Sequence, residues 1–261
     1  MEKKSSVLRR AQGIINYYDA GLPGLIDICC SPGHIYDAAD AFVTAQGNEI
    51  LHIQLPHNSR QFLILSQELL DGARNLYGVP CTWFFGSNRL FQRRYNTPRA
   101  KMLSLVSSMI KQLIDILPRR FEDPDMALSR RVFNSLRLHS PDMSITIPAA
   151  VRIIIALINV IPTEILFFFE GCNDLALLAD ERPLDEACNA IGDLLRFLAR
   201  DEPGRPRKIL WIETGTSAAF IRTITVTMNL EKYTNVAYPA DWDNATRSRR
   251  RSRAGGRATR R

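Results

Sequence analysis

No stretch of this sequence is both apolar enough and long enough to cross a membrane. The most apolar helix-like run, residues 147–161, is shorter than the roughly 20 residues a span needs and contains Arg152. The opening residues, MEKKSSVLRRAQG, lack the apolar core of a signal peptide. The five cysteines (Cys29, Cys30, Cys81, Cys172 and Cys188) form no CxxC pair and sit mostly in apolar segments, which fits buried thiols in a reducing compartment. Histidine is scarce: His34, His52, His57 and His139 make no HxxH or HExxH pattern, so metal-ligand and triad chemistry have no support. No serine stands in a GxSxG elbow. These absences predict a cytoplasmic or nuclear protein with no membrane segment and no metal.

Acidic residues are missing from one place in particular. Residues 247–261 (RSRRRSRAGGRATRR) hold eight of the 34 lysines and arginines and no acid. The formal net charge of +7 is therefore carried by this tail, since the rest of the chain has 26 basic residues against 27 acidic ones. A near-neutral body has no net field to draw phosphates, so any nucleic-acid binding is expected from the tail. Nothing apolar in the tail can offset its ordering entropy, and it is expected to be disordered. A second basic cluster, Arg93, Arg94, Arg99 and Lys101, lies beside a helix start and reads as a solvated face.

What the chain has in quantity is apolar surface, 46% of its residues, with enough length to bury a large core. Apolar spacing predicts a helix from Ser5 to about residue 20 and another over 35–45. Residues 49–55 (EILHIQL) read as a strand, 56–60 (PHNSR) as a loop, and 61–76 as a helix. A short buried strand, CTWFFG, follows at 81–86. Thr97 as cap and Pro98 at the first helical position open a long helix to residue 117. Further helices are expected near 127–138 and 148–160, and over 184–200. Residues 165–169 (ILFFF) are the continuous apolar run of a parallel strand covered on both faces. KILWI at 208–212 is one more strand, and 223–228 another candidate. This alternation predicts an α/β fold, a parallel sheet with helices on both faces.

In this order the chain resembles the NACHT class of STAND NTPases, in particular its fungal, nephrocystin-like branch. Trp83, Phe84 and Phe85 match the family's short aromatic strand, residues 99–117 its long helix, 165–169 its Walker B strand and 208–212 its sensor strand. Glu170, Asn173 and Asp174 fall at the acidic Walker B positions, and Asn58, Ser59, Arg60 and Gln61 fall where the phosphate-binding Walker A loop would end. The resemblance implies a P-loop NTPase-like core over 49–228, preceded by an N-terminal helical segment (1–48) and followed by a C-terminal extension (229–261) ending in the arginine tail. It also implies a chain that is truncated relative to the family.

The departures bear on function. Residues 54–61 contain no glycine, and a working loop needs glycines to turn its N–H groups onto phosphate oxygens. Arg60 keeps a positive charge without the point-charge geometry of lysine. Gln61 replaces a Mg²⁺-binding hydroxyl, and Asn173 cannot act as a base. Each lost charge-assisted bond is worth roughly 1.5–3 kcal/mol, so losing two weakens a micromolar site by about two to four decades. The expected function is a non-catalytic domain acting on protein partners, intact STAND proteins among them, without cofactor. The alternatives are a weak ATP- or GTP-binding NTPase using Mg²⁺ with Arg60 and Glu170 or Asp174, and a nucleic-acid binder acting through 247–261. Against the loop reading stands an ordinary strand-to-helix turn formed by Pro56 and Asn58. Against the acidic cluster stands a solvated turn.

Overall fold

In a computed structural model the chain is described over residues 2–18, 33–47, 49–55, 62–86, 98–123, 126–134, 136, 143–172, 182–200, 206–214 and 233–237. Seven strands form there: β1 (Glu2–Lys3), β2 (Glu49–Leu55), β3 (Cys81–Phe85), β4 (Arg120–Phe121), β5 (Ile165–Glu170), β6 (Arg207–Thr214) and β7 (Tyr233–Ala237). The helices are α1 (Lys4–Tyr18), α2 (Gly33–Thr44), α3 (Phe62–Asn75), α4 (Pro98–Ile116), α5 (Arg130–Asn134), α6 (Met143–Val160) and α7 (Arg182–Ala199). Among the described residues no helix is long and apolar enough to cross a membrane.

Five strands make one parallel sheet in the order β3-β5-β6-β2-β7. The four strands expected from their apolar runs are neighbours in it, and all six residues of β5 are buried. Alternate residues of each strand enter two separate cores. Ile50, Phe84, Phe167, Phe169, Ile209 and Trp211 pack under α1, α4, α5, α6 and α7. Leu51, Ile53, Phe85, Leu166, Phe168, Leu210 and Ile212 pack under α2 and α3. Chain direction explains the division. From β2 the chain travels over α3 to the far edge at β3, then returns through β5 to β6. Right-handed crossovers put helices on opposite faces when the direction of travel reverses.

Several elements differ from their expected bounds for local reasons. Of the helix expected over 127–138, α5 is described and starts later, at Arg130; ahead of it the Asp123 carboxylate accepts from the N–H groups of Ala127 and Leu128, both at 3.0 Å. That side chain holds 126–129 as a turn, with Met126 at φ 49°. Pro148 does not open α6; it lies inside the helix, which starts at Met143. Strand β7 falls in 229–261, where no strand is expected from the sequence, while the candidate strand at 223–228 lies outside the described residues. The N-terminal helix belongs to the body: Val7 and Ala11 are fully buried in the first core. Lys101 is buried on α4 instead of on a solvated face, because residues 101–110 of that helix are enclosed all round.

Candidate functional site

In open parallel sheets, ligands bind outside the carboxyl ends of the strands where the connections diverge to opposite faces. Here that place is the junction of β2, β6 and β5. The register sets Gln54 opposite Glu213 and Leu55 opposite Thr214, with Glu170 opposite Ile212. Of the residues expected in a site, Glu170 is the one described. It ends β5 with no exposure at all, so it is not the solvated turn residue the sequence permits. Asn58, Ser59, Arg60, Gln61, Asn173 and Asp174 lie outside the described residues, as do residues 247–261.

The backbone closes tightly beside Glu170. Its carbonyl accepts from Gly86 N–H at 2.8 Å, and Gly171 N–H donates to the Ile212 carbonyl at 3.0 Å. The ladder thus runs one residue past the ends of β3 and β5. Gly171 adopts a positive φ of 64°. A Cβ on Gly86 would stand 2.5 Å from the Gly171 oxygen, so only glycine permits this approach.

A polar cluster not anticipated from the sequence lies one strand away. His52 Nε2 is 3.0 Å from Glu213 Oε1, and Trp211 Nε1 donates to Glu213 Oε2 at 3.3 Å. The carboxylate of Glu213 is fully buried and His52 is 2% exposed. The pairing follows from the strands: in EILHIQL the residues Ile50 and His52 share one face, and His52 stands in register with Trp211. The sequence carried one signal, a lone histidine in one apolar parallel strand and a glutamate ending another. Two such polar residues in doubly covered strands need partners.

Two further groups define the chemistry of the sheet. Lys208 is 1% exposed; its ammonium donates to the carbonyls of Val43 and Ala45 at 2.6 and 2.7 Å and pairs with Glu164 at 2.6 Å. It thereby neutralises the end of α2. Cys81 and Cys172 are buried, and burial pushes the Cys81 thiol up to about 12. Among the described residues no group of three or more histidine, cysteine, aspartate or glutamate side chains could share a metal ion. Compared with protein-family models, curated proteins and solved structures, the chain matched none.

Proposed function

We propose that this chain is a non-catalytic, NACHT-like domain of P-loop type that works through protein contacts and binds little or no nucleotide. The observation carrying this reading is the strand order β3-β5-β6-β2-β7. It sets side by side the carboxyl ends of β2, β5 and β6, the strands after which the phosphate loop, the acidic pattern and the sensor end fall in the resembling family. The non-catalytic half rests on the absence of glycine from residues 54–61. It is supported by Glu213, whose carboxylate is committed to His52 and Trp211. Protein partners, intact STAND proteins among them, are then the natural targets, since packing surfaces persist where the chemistry has gone.

Calorimetric titration with Mg-ATP and with Mg-GTP tests the reading. Neither is expected to give saturable heat at micromolar concentration, and phosphate release should stay at background. A micromolar Kd with turnover abolished by Glu170→Ala would make the chain an NTPase. Co-sedimentation with an intact NACHT protein is the positive test for the protein contact.

A further inference from the structure

The two helical layers of the sheet carry opposite charge. Helices α1, α4, α5, α6 and α7 hold eleven lysines and arginines against four acids. Helices α2 and α3 hold Asp37, Asp40, Glu68 and Asp71 against Arg74 alone. Their apolar stripes face the sheet, with Ile35 and Phe42 of α2 and Leu65 and Leu69 of α3 in the second core. The acids are displaced from those stripes: Asp37 and Asp40 are exposed one turn apart on α2, and Glu68 and Asp71 are half-buried at the same spacing on α3. The Tyr36 hydroxyl donates to Glu68 Oε2, which ties the two helices together beside their acidic rows. Arg74, the single base, stacks over the Trp83 ring at 4.7 Å from its centroid.

A segment of complementary charge leaves the sheet beside these helices. Residues 247–261 hold eight arginines and no acid. Strand β7 runs parallel to β2 with Ala237 in register with Gln54, so the chain leaves β7 at the carboxyl end of the sheet. Helix α2 packs on β2 and enters it through a short connection, so it runs antiparallel to β2 and begins at that same end. Nine residues, 238–246, join Ala237 to Arg247. Extended, they reach about 30 Å, and a helix is only about 10 Å across. Asp241 and Asp243 in this connection are two acids against eight arginines, which leaves most of the charge to be met elsewhere. We infer that residues 247–261 dock in cis on the outer face of α2 and α3, and that polyanions compete with this face for the tail. Exposed ion pairs are individually weak, but the tether holds the arginines at an effective concentration on the order of millimolar. The contact is independent of the nucleotide reading, because it uses neither residues 54–61 nor Glu170.

Two full-length variants test it. The first replaces the eight tail arginines with glutamine and leaves the body unaltered. Compared with the natural chain at low salt, its amide resonances should shift in α2 and α3 and stay fixed in α1 and α7. The difference should vanish near about 1 M salt, where the screening length is about 3 Å. The second variant, Asp37→Asn with Asp40→Asn and Asp71→Asn, should bind polyuridylate roughly tenfold more tightly than the natural chain at low salt, because the tail is released. Asp115→Asn with Glu122→Gln and Asp193→Asn makes the same change of charge elsewhere and should alter that affinity less than about twofold. Equal tightening in both triple variants would reduce the effect to net charge and overturn the inference. So would resonance shifts that avoid α2 and α3, or shifts that grow with protein concentration, which belong to contact with a second copy. Should the second variant fail to fold, the first decides alone.

Discussion

At the scale of single residues, the buried polar groups are joined across long sequence separations. Glu213 binds His52, 161 positions away, and Lys208 reaches the end of α2 over a similar span. Each of these groups is costly to leave without its partner. His52→Leu should therefore lower stability by about 3 kcal/mol in urea unfolding. Adding Glu213→Leu should recover part of that loss, because the uncompensated carboxylate is then gone. A double variant that loses the full sum of the two single losses would show that the pair is not coupled. Cys81 gives a second expectation. Its thiol is held up near 12 against an ordinary value of 9.0, so it stays protonated in the folded chain where an unfolded chain would ionise. The stability it contributes is complete below about pH 9 and is lost as pH rises from there towards 12. At pH 8 a thiol reagent should label Cys81 slowly in the folded protein and readily in urea, read out by mass spectrometry of the peptide containing it. None of these roles was visible in composition. A lone histidine or lysine in a strand says that a partner is needed, and only the register says which.

Among the elements, strand identity was legible and strand ends were not. The runs EILHIQL, CTWFF and ILFFF mark β2, β3 and β5 by apolar continuity. By contrast β6 extends beyond KILWI to include Arg207, Glu213 and Thr214; Arg207 donates to the Phe197 carbonyl of α7, and Glu213 meets His52 across the sheet. Helix α5 starts later than its apolar spacing suggests because the Asp123 carboxylate holds the amides of Ala127 and Leu128 in a turn first. Close approach at the carboxyl ends of β3 and β5 gives the expectation for this scale. Gly86→Ala places a methyl against the backbone of Gly171, with no flexible side chain to yield. It should cost about 2–3 kcal/mol. Thermal unfolding measures it, and a variant as stable as the parent would mean that the two strand ends separate easily.

For the whole molecule, charge and core are separable properties. Deleting residues 247–261 removes eight arginines and takes the formal net charge from +7 to −1. Binding to polyanions such as RNA should vanish with the deletion and, in the intact chain, weaken steeply with added salt as counterions are released. Filter binding at two salt concentrations checks this. Salt-resistant binding by the shortened chain would put a nucleic-acid site on the body. The core is arranged as two apolar layers either side of one sheet, and the N-terminal helix α1 is part of the larger layer.

The sequence alone determined the class of architecture, since strand-length apolar runs alternating with helical spacing admit a parallel sheet covered on both faces. It also determined the absence of glycine from 54–61 and the placement of net charge in the tail, which are properties of composition. Tertiary structure alone decided the strand order, the entry of β7 beside β2, and the pairing of Glu213 with His52. The physical reason is separation along the chain. Periodicity reports which face of an element is apolar, within a window of a few residues. Which element covers that face, and which buried polar groups meet there, depends on crossovers joining positions more than a hundred residues apart.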